Sequence, residues 1–253
     1  MTAITRFDLN ADLGESFGAY SVGNDEEVLR LVSSANVACG FHAGDPSVMM
    51  RTIEAAAQRG IRVGAHPGYR DLAGFGRRAI AYSYEELKAD LIYQISAAWG
   101  MAQAVGVTLS YVKPHGALYN TMVRDRVQAT AVIDAILAVD PGLKLMALAG
   151  APVLEWARAE GLGTIAEAFA DRAYLPDGTL APRSQPGAVL YDPEAVAAQA
   201  LSIVRSQSVG LFAGGSIEVS AQSLCVHGDN PEALANVAAI VALFAENGIA
   251  VGA

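Results

Sequence analysis

The chain has 253 residues, 48 of them Ala and 25 Gly, with 53% hydrophobic, 17% charged and 7% aromatic side chains and a formal net charge of −9. So much apolar material and so little charge exclude a disordered chain, and two Cys are too few for a disulfide scaffold of this length. The acidic balance excludes a binder of phosphate backbones, which needs clustered Lys and Arg. The length suits one domain, residues 1–253. Residues 1–10 contain Arg6 and Asp8 and lack the apolar stretch of a signal peptide. No run of about 18 apolar residues is free of a charge or a Gly break. The expected location is therefore cytoplasmic, with no membrane and no nucleic acid as partner.

Strand-like and helix-like segments alternate along the chain. Residues 5–10 read as a strand, 26–31 as a short helix and 34–39 as a strand. Asp45-Pro46 is a helix start, an acidic cap before Pro at the first helical position, and Gly60 stops that helix after residue 59. A strand at 61–65 leads to His66-Pro67-Gly68. Ser83 and Glu86 form a capping box for the longest helix, 84–105. A strand at 108–112 ends in Lys113-Pro114-His115-Gly116. The pattern then predicts a helix over 123–139, a strand at 143–148, a helix at 151–160 and a strand at 164–169. Residues 171–186 are irregular, with a hairpin-type turn signal at Asp177-Gly178. A helix at 194–207, a strand-like run at 217–226, a helix at 232–247 and a tail at 249–251 complete the chain. About seven strand–helix units with short connections argue for a parallel sheet, and their number over ~250 residues for a closed β/α barrel.

The polar residues fall at the strand ends. His42, His66, His115 and His227 each follow a strand closely, and each has Gly within two residues. In a parallel barrel all such ends share one face, where chemistry is placed. Asp8, Asn10 and Asp12 recur with strand period and would share the inside of the first strand, where polar groups need partners. Lys113, one of three Lys, stands at a strand end and demands a carboxylate partner. Arg70, Arg77, Arg78 and Arg183 lie in Gly- or Pro-rich loops, where their forks suit carboxylate or phosphate groups. The sequence has no P-loop, no Gly-x-Gly-x-x-Gly after a strand, no His-Glu-x-x-His, no Cys-x-x-Cys and no Gly-x-Ser-x-Gly. Cys39 reads as a small core residue rather than a nucleophile.

Several blocks carry a resemblance. Asp8-Leu9-Asn10-Ala11-Asp12-Leu13-Gly14-Glu15, Asn36-Val37-Ala38-Cys39-Gly40-Phe41-His42, Gly64-Ala65-His66-Pro67-Gly68-Tyr69, Lys113-Pro114-His115-Gly116-Ala117-Leu118-Tyr119-Asn120 and Val226-His227-Gly228-Asp229 resemble the LamB/YcsF family, as do Glu167 to Arg172 and Pro182-Arg183. The likeness runs from about residue 5 to 250. It implies a seven-stranded parallel β/α barrel of the glycoside hydrolase/deacetylase type. It also implies the role of the A subunit in an ATP-dependent 5-oxoprolinase, working with two partner subunits, B and C. The reaction takes 5-oxo-L-proline, ATP and water to L-glutamate, ADP and phosphate.

On that reading Asp12, His66, Lys113 and His115 are the expected catalytic residues, with Asp12 or a His as base and Lys113 and His115 stabilising charge. Asn10, Asn36, His42, Tyr119, Asn120, Arg183 and His227 are expected to bind substrate, Arg183 holding its carboxylate. ATP is a co-substrate whose binding residues are not assigned, wholly or partly on the partners. Two other classes stay open. One is a metal-dependent amide or carbohydrate deacetylase-like hydrolase, against which stands the lack of a close-spaced pair such as His-x₃-His; no metal ligand is assigned. The other is a non-catalytic component that positions its partners, marked by exposed apolar helix faces and no pocket.

Overall fold

Alternation in the first strand sets the inside and outside of the structure. The computed structural model describes residues 4–226 and 233–253. Strand β1 (Arg6–Leu13) is buried on both faces beyond Arg6. Phe7, Leu9, Ala11 and Leu13 point one way and Asp8, Asn10 and Asp12 the other, as a period of two requires.

The element order is β1, α1 (Asp25–Val28), β2 (Ser34–Ala38), α2 (Pro46–Gln58), β3 (Arg62–His66), α3 (Tyr84–Ala104), β4 (Leu109–Val112), α4 (Gly116–Met122), α5 (Arg126–Val139), β5 (Lys144–Leu148), α6 (Pro152–Ala159), β6 (Gly163–Phe169), α7 (Pro193–Ser206), β7 (Ser208–Gly210), β8 (Ser216–Glu218), β9 (Ser223–Val226), α8 (Ala233–Glu246) and β10 (Ala250–Val251). Strands β1 to β6 pair in order and in parallel, β6 pairs β9, and β9 pairs β1 through Asp8↔Ser223 to Ala11↔Val226, which closes a barrel of seven parallel strands. The terminal β10 adds to the start of β1, Arg6 opposite Ala250. Among the described residues no helix is long and apolar enough to cross a membrane.

The helix starts follow the capping chemistry of the sequence. Asp45 accepts from the backbone N–H of Ser47 and Val48, ahead of Pro46. The Ser83–Glu86 capping box opens α3. Two expectations need correction. The helix expected over 123–139 is two helices, α4 and α5. The Asp125 carboxylate accepts from Val127 and Gln128 N–H, so it ends one helix and starts the next. The strand-like run at 217–226 also divides. Val209 pairs with Ile217 in a small antiparallel ribbon, β7–β8, separate from the barrel sheet. Gln222 then exchanges hydrogen bonds with the Ala166 backbone and starts the barrel strand β9 anew. In the irregular segment the Asp177-Gly178 turn brings Tyr174 opposite Leu180.

The barrel interior is polar and layered. At the N-terminal end Asp8 accepts from Ser33, Ser34, Ser223 and Arg62, the last at 2.6 Å. Above it Asn36 donates to Asn10 Oδ1 (2.7 Å) and accepts from the Tyr111 hydroxyl (2.5 Å). Tyr111 with Met146 and Ile165 is the apolar plug of this layer. Its ring occupies space that Gly64 leaves open: a Cβ there would come within 2.2 Å of Tyr111 Cε2. Asp8, Asn10 and Asn36 thus satisfy one another and their neighbours in the interior. They make the rigid floor on which the C-terminal layer stands.

Candidate active site

The C-terminal layer of the barrel collects charge. Lys113, at the end of β4, is 2% exposed. Its ammonium donates to Glu167 Oε1 (2.8 Å), Asp12 Oδ1 (3.1 Å), Asn10 Oδ1 (3.2 Å) and Cys225 Sγ (3.0 Å). Burial alone would lower the Lys113 pKa, but the adjoining Asp12 and Glu167 carboxylates outweigh it and hold the group well above the usual lysine range. Glu167, on β6, is fully buried and also accepts from Asn10 Nδ2 (2.9 Å) and the Tyr119 hydroxyl (2.8 Å). Burial and the neighbouring Glu167 charge push the Tyr119 phenol well up, so it stays a donor. Burial likewise raises Cys225, which remains a thiol beside Lys113.

Next to this group lies a cluster of three histidines. His66 Nε2 is 3.3 Å from Asp12 Oδ2 and 2.9 Å from His115 Nδ1. The His42 and His115 rings stack, with centroids 3.8 Å apart. Glu15 Oε1 lies 3.6 Å from both His42 Nε2 and His115 Nδ1. Burial, reinforced by the neighbouring imidazoles, holds His42 and His115 well below the ordinary histidine pKa, so both rings are neutral. Glu15, His42, His66 and His115 each offer one ligand atom, all within 4.8 Å of one another. They come from the ends of four successive strands, so no close-spaced His pair is needed to gather them. The packing leaves no room for larger residues: a Cβ at Gly76 would lie 2.7 Å from His42 Cβ, and one at Gly68 2.7 Å from His42 Nδ1.

A cavity of about 510 Å³ opens over this layer. Asp12, His66, Lys113 and His115 form part of its lining, with Tyr119, Asn120, Phe169 and the arginines Arg77, Arg124, Arg172 and Arg183 on the walls. Arg124 is engaged by Asp177 and Thr179. Arg172 is buried and donates to the carbonyl oxygens of Ala181 (2.6 Å) and Ala188 (3.3 Å), which anchors the loop carrying Arg183. Burial and the nearby Arg183 charge lower the Arg172 pKa to about 10, still cationic at neutral pH. A chain of net charge −9 therefore places a cationic wall around this cavity.

All four expected catalytic residues meet at the cavity, as do Tyr119, Asn120 and Arg183 among the expected substrate ligands. Asn10 and Asn36 sit one layer lower, where they brace Lys113 and Asp12. His42 lies behind His115 and does not line the cavity. His227 lies outside the described residues. Sequence reasoning gave no role to Glu15, Glu167 or Arg172. Each had a signal: an acid just past a strand end, an acid inside an otherwise apolar strand, and a basic residue shortly after that strand.

The profile of the LamB/YcsF family matches residues 7–253. The chain belongs to the LamB/YcsF family. Among LamB/YcsF relatives, the third 5-oxoprolinase A subunit of Pseudomonas syringae pv. tomato is 57% identical over 90% of this chain and 89% of its own. The 5-oxoprolinase A subunit of Corynebacterium glutamicum is 54% identical over 98% of each chain. The crystal structure of a lactam utilization protein from Thermus thermophilus superposes with a TM-score of 0.93 at 47% identity, covering 98% of this chain and 99% of that one. More distant likeness, to a family 4 carbohydrate esterase from Streptomyces lividans (TM-score 0.50, 15% identity, 100% of this chain and 94% of that one), shows that the LamB/YcsF barrel shares the fold of that class.

Proposed function

We propose that this chain is the A subunit of an ATP-dependent 5-oxoprolinase, the component that binds 5-oxo-L-proline and opens its ring to L-glutamate. The observation that carries the proposal is a cavity that joins an Asp12–Lys113–Glu167 floor to an arginine wall, in a chain over 50% identical to proteins named as A subunits of 5-oxoprolinase. A lactam with one carboxylate is small enough for this space. Its anionic end suits Arg183 and Arg77, and its ring amide then faces the floor.

A five-membered lactam is a weak electrophile and re-forms readily, so the amide oxygen must first become a leaving group. Phosphoryl transfer from ATP to that oxygen does this, and we assign the transfer to the B and C partners acting with this chain. Water then adds to the lactam carbon and the ring C–N bond breaks. The nitrogen takes up a proton, and a second water releases phosphate from the open-chain product. Asp12, at the rim of the cavity and 3.3 Å from His66 Nε2, is placed to take the proton of the attacking water with His66. The fixed Lys113 ammonium stabilises negative charge developing at the carbonyl carbon's oxygen.

Metal-dependent amide hydrolysis is the second reading, and the Glu15–His42–His66–His115 cluster favours it. A protein that only positions partners has no use for this cavity, and the cavity supports the catalytic readings against it.

The test is ATP-dependent conversion of 5-oxoproline by the complex of this chain with its B and C partners. Asp12→Asn is expected to reduce kcat by about 10²–10⁴-fold, the usual worth of a general base. Arg183→Ala is expected to raise KM for 5-oxoproline with a smaller effect on kcat. Turnover of the Asp12→Asn complex at the parental rate would sink the assignment.

A further inference from the structure

The histidine cluster poses a proton-counting problem. A backbone carbonyl oxygen can only accept a hydrogen bond. His66 Nδ1 lies 2.6 Å from the Lys113 carbonyl oxygen, and His115 Nε2 lies 2.8 Å from that of Phe75. Each ring therefore carries its proton on that outer nitrogen and donates it there. The inner nitrogens, His66 Nε2 and His115 Nδ1, then bear lone pairs and face each other at 2.9 Å. Two acceptors at that separation repel unless a cation lies between them. His42 adds to the case: its side chain is wholly buried, and neither ring nitrogen has a hydrogen-bond partner. An unpartnered buried imidazole is costly in a folded protein.

We propose that His42, His66 and His115, with Glu15, bind one divalent transition-metal ion in the inner wall of the cavity. Three features converge on it. Two nitrogens that share one ion at about 2.0–2.1 Å stand roughly 2.9–3.4 Å apart, and the inner pair is at 2.9 Å with Glu15 Oε1 3.6 Å from His115 Nδ1. Metal-bound histidines almost always donate their second N–H to a carbonyl or carboxylate, which fixes the tautomer, and the Lys113 and Phe75 carbonyls do this for His66 and His115. A proton is a poor substitute for the ion, because burial disfavours charge on His42 and His115.

Three imidazoles and one carboxylate select the borderline ions Zn²⁺, Co²⁺, Ni²⁺, Fe²⁺ or Mn²⁺ over Mg²⁺ and Ca²⁺. When bound, such an ion supplies Lewis acidity at the cavity wall beside Asp12. The residues themselves hold the tautomers, keep bulk water out and present His66 and His115 to the cavity while His42 and Glu15 close the rear. The proposal does not depend on the identity of the organic substrate.

Its test reads metal, not turnover. The chain is purified without chelator and without an immobilised-metal step, and its metal is measured by inductively coupled plasma mass spectrometry. Stripped protein is then titrated with Zn²⁺ and Co²⁺ by calorimetry and followed by thermal melting. We expect about one ion per chain at saturation and a melting temperature that rises by several degrees on loading. X-ray absorption of the loaded parent protein is expected to give a first shell of nitrogen and oxygen with close to three imidazoles, a readout that needs no variant. His42→Ala, where it folds by circular dichroism, is expected to weaken binding at least tenfold. The proposal is overturned by stripped protein that shows neither heat nor a melting shift with Zn²⁺, Co²⁺, Ni²⁺ or Mn²⁺. It is overturned equally by a bound ion with one imidazole or none, or by affinity that His42→Ala leaves unchanged.

Discussion

Lys113→Met removes a charge and keeps most of the volume, so its cost measures how far the floor of the cavity depends on that ammonium. The parent holds one cation between two carboxylates, 2.8 Å from Glu167 Oε1 and 3.1 Å from Asp12 Oδ1, all nearly free of solvent. At an effective dielectric constant near 20 each contact is on the order of 5 kcal/mol, before the cost of dehydrating three charges is subtracted. The net value of the trio is therefore small, but the cost of stranding its two carboxylates is not: removing one partner of a buried pair costs about 3–5 kcal/mol. In a chain of this size that is a fall of about 6–20 °C in melting temperature. Adding Glu167→Gln removes one stranded charge, and the amide still accepts from Tyr119. The double variant is expected to recover about 1–3 kcal/mol, a coupling typical of neighbours in one network. Urea denaturation of the parent, both single variants and the double variant, followed by circular dichroism, gives the cycle. A Lys113→Met protein within about 1 kcal/mol of the parent, or a cycle additive to within about 0.5 kcal/mol, would refute the reasoning.

Gly76→Ala puts a methyl group 2.7 Å from His42 Cβ at a backbone φ of +63. It should cost about 2–5 kcal/mol from the left-handed backbone and overpacking together, read by the same denaturation. Gly100→Ala is the opposite case: Gly100 lies within α3 with nothing inside 4 Å of the added Cβ. It should stabilise the chain by about 1 kcal/mol through helix propensity. Burial pushes the Cys39 thiol up to about 12 and raises Cys225 as well. The folded chain should therefore be inert to a disulfide-exchange dye at pH 8, and both thiols should react once denaturant is added. Rapid labelling of one thiol in the native state contradicts the placement of these residues in the core.

The barrel was legible because its strands and helices alternate with short connections, and because Asp45, Ser83 and Glu86 mark helix starts by local chemistry. The division of 217–226 was hidden. Ile217 and Leu224 look alike in a strand-rich run, and only the Gln222 contact with Ala166, over fifty residues away, breaks it. Asp12, His66, Lys113 and His115 were readable as a group, since parallel strands deliver their ends to one rim. The finer roles were not readable. His42 follows a strand as His66 does, yet its ring turns behind His115 because Gly68 and Gly76 leave it space there. Glu167 gave no sign of its task, which depends on the register of β6 with β9. Nor could spacing foretell a four-donor cluster drawn from four strand ends.

The buried Arg172 ties residues 171–190 to the barrel through backbone oxygens at both Ala181 and Ala188. The side chains that meet an incoming anion thus hang from an excursion late in the chain, whereas the imidazole cluster is complete by residue 115. Substrate preference and reactive centre are written in separate stretches of sequence. Someone wishing to retarget this protein to another cyclic amide can graft a new segment between the two anchor points. The chemistry beneath would keep its register, much as a tool keeps its grip when the bit is changed.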